Sequence, residues 1–467
     1  MRISKSSLAL SGISFLSALL TIPLIAKVFT PSEYGEWIIV FTWSTLFGYV
    51  VNLRLDRAIS ISDSLEESIT LMVISFLLTV SSLSLYLLIA VGFYPEHFEP
   101  ILEILLFTIL SSISLNIYAL SNRGDQILTG ILGQAMNTTG ASLISIFLSE
   151  TYKVENALFL GTSAAYLISI LIGLNNFFRL RVDSPVLLKM QSFSQYQRIL
   201  VKYKRFPIYF TPVTLAGLIR ERAIYLLLGM SGNSSIVGIY TLANRIVSAP
   251  NSVTAGIVRP RFIERLLNPL TSTNDLSSDI RKINAFFIRV MSTFCAALIV
   301  QGEYLVTIVL GKTWASVSLL ITIVCWVGTL QILTSWLDRS FDFKNRQRYI
   351  AKLEFVTCTL CTFVFLQTTL WKLDPLILVV EFSVINIGYY LAMLKEIYRM
   401  HSIELSLIPK SMLKFILLAS GQVTILHATF HYMGPIFSFT LTALFLALLM
   451  RGSEFFGIKK GSPDARI

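Results

Sequence analysis

A chain of 467 residues that is 54% hydrophobic and 14% charged, with a mean hydropathy of +0.70, has too little charge to cover a water-soluble globule of its size. The net charge of +11 does not point to nucleic acid, because Lys and Arg sit in short segments between apolar runs, without interleaved stacking aromatics. The excess apolar surface belongs in lipid, where a chain of this kind crosses as helices.

Taken in chain order, apolar runs predict about 14 spans, at roughly 7–27, 34–54, 69–92, 101–121, 127–149, 156–178, 206–230, 235–258, 284–310, 316–337, 350–371, 376–397, 412–432 and 434–450. The stretch Ser7–Ala26 is too long for a signal-peptide core and lacks a small-x-small cleavage site, so it reads as an uncleaved first span. The fourth and fifth spans are rich in small and polar residues, among them Ser111, Ser112, Ser114 and Asn116, then Gly130, Gly133, Gln134, Asn137, Thr138, Thr139 and Gly140. Such residues allow close helix packing, and their amides suit spans that line a water-filled cavity. Cys295, Cys325, Cys358 and Cys361 lie inside apolar runs, so they read as core rather than redox residues. His427 and His431 lack the glutamate that a zinc helix needs.

Loop charge sets direction. With the N-terminus cytoplasmic, only Lys27, Lys153, Lys312 and Lys372 fall on outer segments, which places both termini inside. The longest connections, about 179–205 and 259–283, are then cytoplasmic and basic, and outer turns such as Tyr94–Glu99 are short. Trp37, Trp314 and Trp371 fall near the outer interface and read as belt anchors.

Two segments match at an offset of 203 residues: Ser32-Glu-Tyr-Gly35-Glu-Trp37 opens the second span, and Ser235-Ile-Val-Gly238-Ile-Tyr240 opens the eighth. Six spans separate them, so equivalent helices run in the same direction. This predicts an all-α polytopic membrane protein of two pseudo-symmetric six-helix lobes plus a C-terminal helix pair. The expected parts are an N-lobe 1–178, a basic cytoplasmic linker 179–205, a C-lobe 206–397 and a C-terminal pair with its tail 398–467.

Pro31-Ser-Glu-Tyr-Gly35, Glu221-Arg222, Leu226-Leu-Leu-Gly229, Val237-Gly238-Ile-Tyr240 through Ala243-Asn-Arg245-Ile246, and Leu310-Gly-Lys-Thr-Trp314 resemble the motifs of one family. It is the Wzx-type O-antigen and polysaccharide flippases of the multidrug/oligosaccharidyl-lipid/polysaccharide (MOP) exporter superfamily. The resemblance implies a MATE-like fold in a bacterial inner membrane. It implies translocation of an undecaprenyl-diphosphate-linked oligosaccharide from the cytoplasmic to the periplasmic leaflet. Membrane lipid, a polysaccharide polymerase and a chain-length regulator are the implied partners, with no nucleic acid. Many members of the family have 12 spans, so the final pair is a departure, as is Arg220 beside the Glu-Arg pair.

Charge within the membrane is costly, at least about 2.5–3.5 kcal/mol for a central cation, so it marks a cavity or a partner. Arg220, Glu221 and Arg222 in the seventh span, Arg245 in the eighth and Arg289 in the ninth fit two readings. They pair with one another, Glu221 with Arg222 or Arg245, or they form a cationic cavity for a diphosphate. Arg54, Asp56 and Arg57 close the second span, either as anchors or as a docking point for an anionic head group. Glu381, Glu221 and Asp56 are the candidates for coupling to H+ or Na+, and no metal or other cofactor is expected. A cation-coupled drug exporter would favour an acidic cavity, whereas the spans lean basic. A membrane-embedded polymerase or glycosyltransferase would need a large outer loop, and no outer loop exceeds about 15 residues.

Overall fold

The computed structural model describes residues 20–93, 98–121, 132–133, 135–182, 193–230, 232–254, 258–267, 272–344, 346–371 and 373–451. The start of the expected first span, the outer turn at 94–97, Gly130, Gln134, residues 183–192 of the expected linker, Lys372 and the tail from 452 lie outside the described residues. Those described form helices and no strand.

The first unit contains most of the expected N-lobe. After α1 (20–28) come α2 (Pro31–Asn52), α3 (Leu55–Ile61), α4 (Leu65–Phe93) and α5 (Phe98–Ser121). A π-helical turn, Met136–Gly140, leads into α6 (Ala141–Tyr152), followed by α7 (Ala157–Val182) and α8 (Phe193–Lys202). A second π turn, Phe206–Phe210, leads into α9 (Thr211–Met230), and α10 spans Ser234–Val253. Beyond it lie α11 (Arg259–Leu267), α12 (Thr273–Val309), α13 (Val317–Thr334), α14 (Ser340–Phe343), α15 (Gln347–Trp371), α16 (Pro375–Met400), α17 (Leu407–Met433) and α18 (Pro435–Arg451). Contacts divide the chain into Met1–Leu242 with Ala351–Ile385, and Ala243–Ile350 with Asn386–Ile467.

Eight of these helices are long and apolar enough to cross a bilayer, and α2 with α3, bent by 58°, is either a broken ninth span or a re-entrant pair. The protein is therefore a multi-pass membrane protein. Helix α9 is not apolar enough to join them, because Arg220, Glu221 and Arg222 fall together near its middle. A helix with that charge needs protein or water around it rather than lipid.

Two connections differ from expectation. Residues 259–283, read as a loop, hold α11 and the first turns of α12. Ser272 caps α12, accepting from the Asp275 amide at 3.1 Å. The helix then runs for 37 residues, about 55 Å, well beyond a hydrocarbon core of about 30 Å. The basic 179–205 segment contains α8, whose Lys202 ammonium meets Asp63 at 2.8 Å and Glu67 at 2.5 Å. Trp314 is fully buried, so it packs inside the protein instead of sitting in an interfacial belt; Trp371, 66% exposed, is free to do so.

The motif at the start of α2 is built for helix initiation and close crossing. Thr30 caps the helix, Pro31 occupies its first turn, and the Glu33 carboxylate returns to the Thr30 amide at 2.7 Å. Gly35 then lies against the first turn of α10. A Cβ at Gly35 would stand 1.8 Å from the Ser234 carbonyl oxygen, and one at Gly238 would stand 2.1 Å from that of Pro31. Each of these four positions has its counterpart 203 residues away, so the crossing is pseudo-symmetric. The Ser32 and Ser234 hydroxyls bridge it at 2.6 Å, and Glu36 accepts from Ser234 at 3.2 Å.

The second unit is organised on α12. Helix α17 packs along it, with Leu426 fully buried beside Ala296 and Ala297. Side-chain amides fasten the C-terminal pair. Gln301 donates to Ser438 at 2.7 Å and to Thr442 at 3.0 Å, and Gln422 donates to Thr293 at 2.8 Å. In lipid such bonds hold helices together where the hydrophobic effect between them is weak.

Candidate functional site

In the first unit a cavity of about 230 Å3 opens between α2, α5, α7 and α9. Phe41, Tyr49, Tyr118 and Tyr166 give it aromatic walls, Thr45, Ser111, Ser112 and Ser114 give it hydroxyls, and Asn137 and Arg222 complete it. The α2 side carries a stacked aromatic run, with ring centres 5.5 Å apart from Tyr34 to Trp37 and 5.3 Å from Trp37 to Phe41. Gly48 faces the Ser111 and Ser112 hydroxyls, which a Cβ there would approach to 3.3 and 3.6 Å.

Arg222 is half-buried at the edge of this cavity. Its guanidinium lies 5.8 Å from the Phe41 ring centre and 5.9 Å from that of Tyr225, within cation–π range. No carboxylate among the described residues forms an ion pair with it. Arg220, two residues earlier, has the opposite environment. It is 3% exposed, its Nε donates to Glu354 on α15 at 2.9 Å, and its Nη2 donates to Glu221 at 2.9 Å. Glu221 thus pairs with Arg220 and not with Arg222 or Arg245, the partners the sequence suggested. Glu354, which sequence reasoning missed, is 134 residues from Arg220, and nothing local in the sequence points to it.

Below the cavity the chain turns sharply. Leu53 and Arg54 have φ of 50° and 56°, and this left-handed pair sets the bend between α2 and α3. Arg54 and Asp56 are both buried and pair at 3.1 Å, and Arg54 lies 4.8 Å over the ring of Tyr49, a cavity wall. Arg57 is exposed. In the second unit, Arg245 on α10 is half-buried and Arg289 on α12 is exposed. Glu381 on α16 is partly buried, and one of its carboxylate oxygens is enclosed without a hydrogen-bond partner among the described residues.

A smaller cavity of about 120 Å3 in the first unit is acidic. Glu33, Glu36, Glu103 and Glu155 line it together with Trp37 and Asn156.

No protein-family model matches the chain, and no curated protein matches it in sequence. Among solved structures, the fold is similar to that of the lipid II flippase MurJ in an inward closed conformation. The TM-score is 0.65 at 14% identity, over 96% of this chain and 99% of that one. MATE-family multidrug resistance transporters of the MOP superfamily also match. The inward-facing form has a TM-score of 0.47 at 13% identity, covering 86% of this chain and 96% of that one, and the outward-facing form 0.45 at 15%, covering 85% and 97%. The MurJ match shows the fold: the same all-helical arrangement over nearly the whole chain.

Proposed function

We propose that this chain is a flippase for a lipid-linked oligosaccharide. It carries a repeat unit on undecaprenyl diphosphate from the cytoplasmic to the periplasmic leaflet of a bacterial inner membrane. The observation that supports this reading most is Arg222, a cation with no carboxylate partner among the described residues, at the edge of an aromatic and hydroxyl-lined cavity. A diphosphate bearing sugars cannot cross hydrocarbon unaided, because its polar groups lose water without replacement. Arg222 offers the diphosphate a forked set of donors while the polyprenyl tail stays in lipid. Arg245, Arg289 and exposed Arg57 provide cationic contacts at other stages. Arg220 and Arg54, each already paired, hold the walls in place.

Transport proceeds by alternating access, in which the binding face changes the leaflet it addresses and its affinity changes with it. Opening on the side of the Gly35–Gly238 crossing requires those two backbones to part. Coupling to H+ or Na+ falls to Glu381, one of whose carboxylate oxygens is enclosed without a hydrogen-bond partner among the described residues. Glu221 and Asp56 are already engaged by arginines. A polysaccharide polymerase and its chain-length regulator are the partners this reading implies.

The test counts lipid-linked oligosaccharide on each leaflet in cells carrying well-expressed variants. Arg222→Ala should strand cargo on the cytoplasmic leaflet, and Arg222→Lys should restore part of the flow. Normal flipping by Arg222→Ala would rule the reading out. The acidic cavity around Trp37 favours a second reading, export of organic cations. Under that reading Glu103→Gln with Glu155→Gln would abolish efflux of ethidium, and Arg222→Ala would leave it intact.

A further inference from the structure

We propose that the 230 Å3 cavity seats a single uncharged sugar ring, the one next to the diphosphate, and that Asn137 reads a hydrogen-bond donor on that ring. This rests on the flippase reading and adds a specificity residue to it. The volume falls below the roughly 300–1,000 Å3 of drug-sized ligand sites, so it suits one ring and not a whole oligosaccharide.

The walls select the chemistry of that ring. Aromatic faces at Phe41, Tyr49 and Tyr166 suit the flat C–H faces of a saccharide. The hydroxyls mostly spend their own protons on the backbone: Thr45 donates to the Phe41 carbonyl at 2.7 Å, Ser111 to that of Thr108 at 3.1 Å, and Ser112 to that of Gly48 at 3.5 Å. Their lone pairs remain as acceptors. These acceptors suit a donor-rich neutral group. The phosphates therefore belong at the rim with Arg222, and the ring belongs inside.

Asn137 sharpens this assignment. Its Nδ2 makes two bonds of 3.0 Å, to the Ser114 hydroxyl and to the Tyr118 hydroxyl. Tyr118 is in turn held by Ser169 at 2.7 Å. The Tyr118 ring occupies space that only a glycine leaves open, since a Cβ at Gly133 would stand 2.4 Å from its Cε1. The Asn137 Oδ1 is left enclosed, with no partner among the described residues. Such an oxygen is costly unless a ligand supplies a donor. A ring hydroxyl or an acetamido N–H does so. The π turn Met136–Gly140 places Asn137 here, an irregularity that recurs at functional sites.

The experiment uses the full chain purified in lipid nanodiscs and three probes: farnesyl diphosphate, farnesyl diphosphate bearing N-acetylglucosamine, and farnesyl diphosphate bearing glucose. A sugar-bearing probe should bind about tenfold tighter than farnesyl diphosphate, the value of one well-made hydrogen bond with its packing. Asn137→Leu should erase that gain and leave farnesyl diphosphate binding unchanged, which also reports that the variant is folded. If Asn137→Leu loses all three probes, Asn137→Asp is read by the same criterion, retention of the gain being expected because the acceptor is kept. A gain confined to N-acetylglucosamine identifies the N–H as the donor, and a gain with both sugars identifies a hydroxyl. No gain in the native protein, or a gain that survives Asn137→Leu, overturns the proposal. Unchanged farnesyl diphosphate binding in Arg222→Ala would instead overturn the underlying reading, so the two failures are distinguishable.

Discussion

Two sides of helix α9, two residues apart, use the same side chain in opposite ways. Arg220 is buried against α15 between two carboxylates, while Arg222 looks across to the aromatic wall of a cavity with no carboxylate partner among the described residues. The first is a cation whose field is already neutralised, and the second is a cation still available to a ligand. The difference shows that an intramembrane arginine is no evidence of a binding site until its partner is known, and that the partner need not be near in sequence.

The largest effect should come from breaking the buried side of α9. Arg220→Ala leaves Glu354 and Glu221 without their cation, and removing one partner of a buried pair costs about 3–5 kcal/mol. Membrane levels of that variant and its unfolding temperature in detergent should drop sharply, with Glu354→Gln recovering part of the loss. Arg222→Ala should leave both near native values. Equal losses in the two single variants would erase the contrast.

A moderate effect is expected where the motif segments cross. Alanine at Gly35 or Gly238 pushes a methyl into a carbonyl of the other helix, and overpacking of this kind costs about 1–3 kcal/mol. Because both substitutions open the same contact, the double variant should cost less than the sum of the singles. A disulfide between Ser32→Cys and Ser234→Cys should form readily in the native background and poorly in either alanine variant.

The smallest effect sharpens the rule that a buried cation needs a carboxylate. His401 is buried in the second unit, with its ring nitrogen 3.1 Å from the Ser340 hydroxyl and Phe262 against its face. Burial, with Lys344 nearby, pushes its pKa down to about 4. Above the unfolded value near 6.5 the ring is neutral in both states and the contact is fully present. As pH falls from there toward 4, the unfolded chain takes up a proton that the folded chain refuses, so stability declines over that window. His401→Gln should flatten this slope in thermal unfolding measured between pH 7 and 4. An unchanged slope would locate the titration elsewhere.

The helical membrane fold was legible because apolar runs and charge-bearing connections repeat along the whole chain, a signal no local error can erase. The site was legible only in part. Arg222 could be singled out by the cost of its charge, but nothing separated it from Arg220, whose partner Glu354 lies on α15. Asn137 was visible only as one amide among several, because a π turn breaks the regular spacing that assigns residues to faces. Trp314 looked like a belt residue by position and is in fact core. The segment 259–283 looked like a loop because its charges hid a helix that extends past the membrane. Pro31-Ser-Glu-Tyr-Gly35 looked like a family signature, and its structural content proved to be a capping box and a helix crossing.

That crossing bears on how such a chain could have arisen. Gly35 meets the carbonyl of Ser234 while Gly238 meets that of Pro31, so each side of the contact contains the same two parts. This is the self-complementary pattern of a two-fold dimer interface, drawn within a single polypeptide. A half-length ancestor pairing with its own copy would have needed only one glycine to make both halves of the contact. In a chain descended from such a pair, a side chain gained on one side of this contact has to be accommodated by backbone on the other.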